Sequence, residues 1–474
     1  MAEEVWMLQT KKADFKQIGA RFRIDPVTAR IIRNRGIKGE AAIDRYLNGT
    51  LDDLYDPMLL KDMERAVSIL CEAVDTGKKI RIVGDYDIDG VCSTYILLQA
   101  FERLGSDVDF EIPDRIKDGY GINESIIEQA HADGVEVILT CDNGISAFHQ
   151  VELAKKYGMT VVITDHHEVP LDGEKEKIPP ADAVIDPKQA DCPYPFPEIC
   201  GAVVAYKLVQ VLYARRGVPQ MEWLDLLEFA AIATVGDVMK LQDENRILVK
   251  YGLKKMAQTK NLGLRRLAEK NNLDLGAITA YHIGFVIGPC LNAGGRLKTA
   301  KEALALLRAQ SEEEAERLAE ELKELNDTRK DMTEQGTEAA KLQVESWYQK
   351  DKVLVVFLPE CHESLAGIIA GRLREYYQKP AIVLTRGEEA VKGSGRSIDE
   401  YHMFKKLTEV SDLLLKFGGH PLAAGLSLEE KNIDEFRRRL NENAGLTEED
   451  FKAKVWIDVP MPVGYVTERL VREL

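Results

Sequence analysis

Residues 79–90 read KIRIVGDYDIDG, and this stretch decides the fold. Its first part, Lys79–Asp85, is short, apolar and β-branched, which predicts a buried strand. Its second part sets Asp85, Asp87 and Asp89 at alternate positions and ends in Gly90, where the helical run 91–105 begins. Four more strand-like runs follow at 107–115, 136–144, 160–168 and 182–188, each closing on polar residues. Helical runs separate the second, third and fourth of the five. This alternation predicts an α/β domain with a doubly wound parallel sheet. Right-handed crossovers then place helices on both faces.

In such a sheet the C-terminal strand ends share one edge, and ligands bind in the crevice there. That edge collects Asp85, Asp87 and Asp89, then Asp142-Asn143-Gly144, then Asp165-His166-His167-Glu168, then Asp186-Pro187. Taken singly, each is bland: an alternating Asp pair is usually a turn or helix cap, DNG a turn, and a His pair surface or packing. Recurrence on successive strands of one sheet is what points to chemistry. Unpaired carboxylates brought together repel one another, and divalent cations relieve this. Carboxylates with imidazoles and no thiolate pattern suit Mn²⁺ or Mg²⁺. More than four candidate ligands favour two ions, which at about 3.5–4 Å apart clamp the attacking and leaving oxygens of a phosphoryl transfer. Asp186 fits the edge, but an Asx turn before Pro187 explains it equally well.

The rest of the chain divides by pattern. Residues 1–60 read as a helical segment, with Asp25 as N-cap, Pro26 next and Gly36 as stop. The catalytic domain is expected over 61–310, turning helical after Pro197. A connector helix over 311–348 carries Leu318, Leu322 and Leu325 on one stripe, with a solvated polar face. A second, smaller α/β domain is expected over 349–447, with a glycine-rich turn GSGRS at 393–397 and FGGHPLAAGLS at 417–427. Residues 448–474 look like the entrance to a further domain.

Composition limits function. The chain has 474 residues, net charge −16 and 45% hydrophobic residues, which is globular. No apolar run approaches the roughly 20 residues that span a bilayer, and the opening MAEEVWMLQTKKADFK is not a signal peptide. Seven scattered cysteines without a CxxC pair fit a reducing, cytoplasmic setting. Residues 312–345 alone carry −7, so a basic groove elsewhere is compatible with the total but a uniformly basic coat is not.

DYDIDG, DNG and DHH, in this order and spacing, resemble the DHH phosphoesterase superfamily. VGDV with ENR (Gly236, Asp237, Glu244, Asn245, Arg246), GPCLNAGGRL at 288–297, GSGRS and FGGHPLAAGLS narrow the likeness to its RecJ-type branch, the single-strand-specific 5′→3′ exonucleases. The resemblance runs from about residue 20 to 450. It implies a DHH domain, a helical connector and a DHH-associated substrate-binding domain, with the cleft between the domains. It implies metal ligation by Asp87, Asp89, Asp142, His166 and Asp237, with Asp142 bridging two Mn²⁺ or Mg²⁺ ions and Asp85 either a further ligand or a group that supports the ligands from behind. His167 would face the scissile phosphate and Asp165 would orient a histidine. Ser394 and Arg396 suit a phosphate, through backbone N–H groups and a guanidinium, with His420 nearby and Asn292 and Arg296 from the other side. Tyr120, in a loop with Arg115 and Lys117, could stack a base, with an ordinary solvated loop of equal weight. Cys290 replaces an arginine frequent in the family and reads as a small buried residue. The expected substrate is single-stranded DNA with a 5′ end, hydrolysed to 5′-mononucleotides in repair and recombination beside single-strand-binding protein and a helicase. Residues 448–474 would begin an oligonucleotide-binding barrel too short to close. Two alternatives stand: a phosphodiesterase of short oligonucleotides or cyclic dinucleotides, and a catalytically inactive DNA-binding scaffold.

Overall fold

The structure is a computed structural model describing residues 4–474; residues 1–3 of the expected 1–60 segment lie outside the described residues. Contacts divide the chain into two units, one of Arg45–Asp327 and one of Met1–Asp44 with Thr328–Leu474.

The first unit is built on strands β1 (Ile80–Val83), β2 (Val108–Glu111), β3 (Val137–Cys141), β4 (Thr160–Thr164) and β5 (Ala183–Ile185). All neighbours are parallel and the order is β2-β1-β3-β4-β5. The order reverses between β1 and β3, which opens the ligand crevice at their C-terminal ends. Strand side chains alternate between two cores. Ile80, Ile82, Leu139, Val162 and Ile185 face one, with helix α1 (Ile88–Arg103). Val83, Ile138, Ile163 and Val184 face the other, with α2 (Glu124–Ala132) and α3 (Phe148–Lys156). Both faces are therefore covered, as a fully parallel sheet requires. Arg81, buried on β1, bonds Asp109 at 2.7 and 2.8 Å and Asp133 at 2.8 Å, tying β1 to β2 and to the end of α2. A helical layer follows: α4 (Gly201–Arg215), α5 (Leu227–Gly236), α6 (Asp243–Met256) and, after a π-helical turn at Ile283–Ile287, α7 (Gly288–Leu297). A fully buried ion pair, Lys207–Glu244 at 3.0 Å, joins α4 to α6.

Helix α8 (Glu312–Gln343) crosses the boundary between the units. Its acidic face is not simply solvated. Glu312 pairs with Arg265 and Arg266, and Glu316 and Glu320 pair with Lys270, all within the first unit. In the second unit, β6 (Leu354–Phe357), α9 (Glu363–Tyr377), β7 (Ala381–Arg386), β8 (Val391–Arg396), β9 (Leu414–Gly419) and β10 (Ala423–Leu428) form a mixed sheet of order β9-β10-β8-β7-β6.

One expectation is corrected here, and another segment gains an unforeseen partner. GSGRS is no turn: Gly393, Ser394, Gly395 and Arg396 lie in β8, paired on both sides with β7 and β10. Its glycines serve packing, since a Cβ on Gly393 would lie 2.6 Å from Leu384 and one on Gly395 3.0 Å from Met403. Residues 448–474, expected to open a further domain, find a partner within this chain. Ala453–Ile457 pairs in parallel with Glu4–Leu8. Asn34 Nδ2 donates to the Asp458 carbonyl at 3.0 Å, and the Asp25 N–H donates to Glu473 at 2.7 Å. The start of the expected 1–60 segment thus belongs with the C-terminal residues rather than standing alone. No helix among the described residues is long and apolar enough to cross a membrane.

Candidate metal centre

The turn after β1 is shaped by its own aspartates. Asp87 caps α1, its Oδ1 accepting from the N–H groups of Asp89 at 2.9 Å and Gly90 at 3.2 Å. Gly90 is required because a Cβ there would lie 2.4 Å from the Asp85 carbonyl oxygen. Asp85 Oδ1 accepts from Gly121 N–H at 3.3 Å, while its Oδ2 is buried without a partner. Asp89 is held from across the layer: its oxygens accept from Gly201 and Ala202 N–H, both at 2.7 Å. It therefore sits on the positive end of α4.

Asp142, after β3, is left-handed with φ of 61°. Aspartate tolerates that region better than most residues. Tyr120 Oη donates to the Asp142 carbonyl at 2.6 Å. Asn143 donates to the Val83 and Cys141 carbonyls at 3.0 and 2.9 Å and accepts from Ile122 N–H at 3.2 Å. One amide thus stitches β1, β3 and the Tyr120 loop together. After β4, Asp165 is fully engaged by Ile145 N–H at 2.9 Å, His166 N–H at 2.8 Å and His167 Nδ1 at 2.7 Å. His166 Nε2 lies 3.1 Å from Asp142 Oδ1, 3.5 Å from Asp89 Oδ2 and 3.9 Å from Asp237 Oδ2. Asp237 follows α5 directly.

Among the described residues, ligand-capable atoms gather in three overlapping groups, each spanning no more than 4.8 Å: Asp85, Asp87 and Asp142; Asp89, His166 and Asp237; Asp142, His166 and His167. Burial and mutual repulsion push Asp85 up to about 8 and Asp237 up to about 7, and raise Asp87 and Asp142. Burial lowers His166, which keeps its imidazole neutral, the form that binds a metal. For His167, burial opposes the charge, but the Asp165 carboxylate outweighs it and lifts the ring to about 9. A buried acidic cluster with an unpartnered oxygen and a neutral imidazole is a set of donors suited to hard divalent cations.

Other expected residues fall as follows. Asp186 is buried, and its Oδ1 accepts from Lys188 N–H at 2.8 Å in an Asx turn; it joins none of the three groups. Asn292 and Arg296 lie on α7, whose Gly295 leaves room for the Tyr86 carbonyl, so α7 packs on the turn carrying Asp85 and Asp87. Arg115 stacks on Tyr86 at 4.1 Å, and Tyr120 meets His167 edge-on at 5.4 Å. Cys290 is fully buried. In the second unit, Ser394 and Arg396 share one face of β8 over Gly367 of α9, and Arg396 donates to Ser394 Oγ at 3.2 Å. The β8 backbone N–H groups expected to hold a phosphate are committed to the sheet. His420 lies in the turn between β9 and β10, its N–H donating to the Ala423 carbonyl at 2.7 Å. Sequence reasoning gave no role to Asn143 or Asn245 and missed the Gly201 and Ala202 amides. Buried Asn245 donates to the Glu198 carbonyl at 2.6 Å and the Lys240 carbonyl at 3.2 Å, joining the lead-in to α4 with the loop after Asp237. Its place in the ENR run was its one visible signal.

The family model for the DHH family, N-terminal domain, matches residues 79–234, and that for the DHHA1 domain matches 350–445. The single-stranded-DNA-specific exonuclease RecJ of Haemophilus influenzae is 35% identical over 462 residues, covering 93% of this chain and 79% of that protein. The chain belongs to the RecJ family. RecJ of Bacillus subtilis is 37% identical, and the match covers 99% of this chain but 59% of that protein. The crystal structure of Thermus thermophilus RecJ in complex with Mn²⁺ aligns with a TM-score of 0.84 and 29% identity over 99% of this chain and 66% of that one. A manganese-bound RecJ exonuclease aligns with a TM-score of 0.71 and 32% identity over 82% of this chain and 98% of that one. The chain thus spans less than two thirds of its Bacillus and Thermus relatives.

Proposed function

We propose that this chain is a metal-dependent exonuclease that hydrolyses single-stranded DNA from the 5′ end to 5′-mononucleotides. The observation that carries the reading is the pair of ligand groups Asp85–Asp87–Asp142 and Asp89–His166–Asp237, with Asp142 beside both. These residues would hold two Mn²⁺ or Mg²⁺ ions. When bound, such ions supply charge neutralisation at the phosphate and a water acidic enough to attack it at neutral pH. The protein's own part is positional. Capping and helix-end amides fix Asp87 and Asp89, and the Tyr120 contact supports the left-handed backbone of Asp142. Asp165 fixes His167, whose side chain is 43% exposed and is the group we assign to the scissile phosphate. In the second unit, Arg396 is half-buried and pairs with no carboxylate among the described residues, and burial and Arg374 lower its pKa; an anion there would relieve the charge. We assign Ser394, Arg396 and His420 to a substrate phosphate, with Asn292 and Arg296 as further contacts and Tyr120 as a base contact. The setting we attach to this reading is cytoplasmic DNA repair and recombination, beside single-strand-binding protein and a helicase.

The test is digestion of a long 5′-phosphorylated strand, its duplex and a cyclic dinucleotide by the chelator-treated chain, with and without Mn²⁺. Metal-dependent release of mononucleotides from the single strand alone is expected. Preference for the cyclic dinucleotide would replace the substrate, and no hydrolysis of any of the three would remove the enzymatic reading.

A further inference from the structure

We propose that Tyr281 and Phe285 form a base-stacking platform that holds the single strand beside the metal centre; this rests on the nuclease reading above. The two rings stack on each other at 4.8 Å between centroids and 27° between planes. Both face water, at 63% and 68% exposure. Single exposed hydrophobics are ordinary, but two stacked rings on an anchored turn are less so. The turn is anchored because Ile283 and Ile287, on its other face, are fully buried in the core. It is also π-helical, a widened form that recurs at functional sites.

Its position ties the platform to the chemistry. A Cβ on Gly284 would lie 3.7 Å from Val235, two residues before Asp237. A Cβ on Gly288 would lie 3.3 Å from Ile88, the residue between Asp87 and Asp89. The turn therefore rests on the same two segments that carry three of the candidate ligands. Val238, next to Asp237, is 87% exposed and adds apolar surface there.

The chemistry of the surface selects the occupant. Residues 275–291 contain no Lys, Arg, Asp or Glu. The segment itself therefore supplies no Lys or Arg to grip a phosphate and no Asp or Glu to pair with a basic peptide. It offers π-faces, and every base has one, so stacking holds the strand without regard to sequence. The phosphates are left to the metal centre and the cationic residues.

The test is equilibrium binding of the full chain to a fluorescent strand with a cleavage-resistant backbone, using Tyr281→Ala, Phe285→Ala and Phe285→Leu. Each variant is expected to bind roughly 10-fold more weakly, on the order of one lost stack. Phe285→Leu keeps apolar volume without a π-face, so it carries the test if Phe285→Ala does not fold. A single abasic site is then walked along the strand. Wild type is expected to lose about 10-fold at one position, at which the variants lose nothing further. Variants that bind as wild type, or that lose equally at every abasic position, would overturn the platform; in the latter case the turn serves folding or docks a protein. A wild type that shows the abasic signature yet never cleaves the natural strand with Mn²⁺ would refute the nuclease reading and keep the platform. A wild type that binds no strand would refute both.

Discussion

Asp142→Asn separates charge from backbone geometry at the centre of the site. Alanine would add about 1–2 kcal/mol of left-handed strain at φ of 61°, whereas asparagine tolerates that region. The substitution removes one negative charge from a group whose ligand atoms lie within 4.8 Å of each other. At an effective dielectric of about 20, each such pair repels by about 3 kcal/mol. With the metal removed by chelator, the variant should therefore be more stable than wild type at pH 8 by a few kcal/mol. The sign follows from the shifts. Asp85 rises from an ordinary 3.8 to about 8, so the folded state keeps a proton that the unfolded chain releases. Stability from that proton is full below about 4 and is lost as pH rises through 8. The metal-free wild type should lose stability from pH 5 to 8, and the variant should lose less. Metal should reverse the ranking. Mn²⁺ should stabilise wild type strongly and the variant weakly, and hydrolysis should fall at least about 10³-fold, on the order of 4 kcal/mol. Denaturant melts with and without Mn²⁺ at both pH values, together with rates at saturating Mn²⁺, measure all of this. A variant that keeps more than a few per cent of activity, or the full Mn²⁺ stabilisation, would refute a shared carboxylate at Asp142.

Asp165→Asn should lower kcat about 10- to 100-fold while the fold persists, because an amide cannot accept all the N–H groups that now converge on the carboxylate; wild-type kcat would show that His167 needs no such anchor. Arg396→Ala should raise KM with kcat little changed and reduce the salt slope of strand binding by about one, whereas a collapse of kcat would place Arg396 at the reacting atoms. Asn245→Ala should weaken Mn²⁺ binding about 10- to 100-fold by calorimetry, with activity recovered at high Mn²⁺; unchanged Mn²⁺ affinity would reduce its clamp to a role in folding. Glu228, buried outside the site with Thr259 Oγ1 donating at 2.6 Å, is pushed from an ordinary 4.5 up to about 7 by burial. Its raised value stabilises the fold below about 4.5 and loses that contribution as pH rises through 7, so Glu228→Gln should flatten stability between pH 5 and 8 by up to about 3 kcal/mol; parallel pH profiles would contradict this.

The parallel sheet was legible because strand ends announce themselves. An apolar run stops, an aspartate or histidine follows, and topology brings the stops to one edge. Asp85, Asp87, Asp89, Asp142 and His166 needed no other signal, and their gathering in space follows from the order β2-β1-β3-β4-β5; Asp237, which follows helix α5 rather than a strand, was legible only through the resemblance of VGDV. What holds them was less legible, because much of it is backbone. The amides of Gly201 and Ala202 clasp Asp89 from 112 and 113 residues away, and nothing in GAVVAY advertises a carboxylate partner.

The misread elements fail for the same physical reason. Gly393 and Gly395 look like turn formers because glycine permits turns, yet here it is the volume of Leu384, Leu426 and Met403 that demands them in a strand. Local propensity cannot distinguish these uses, since crowding is set by residues remote in sequence. Residues 453–457 read as a strand without a partner because that partner, Glu4–Leu8, lies at the other end of the chain. Acidic α8 looked solvated because its cations, Arg265, Arg266 and Lys270, sit on another helix. In each case the side chain's own chemistry was read correctly and the missing term was a distant neighbour. Chemistry that resides in side chains at a topologically fixed edge can therefore be read from one sequence, whereas support supplied by remote backbone and remote charge needs the fold.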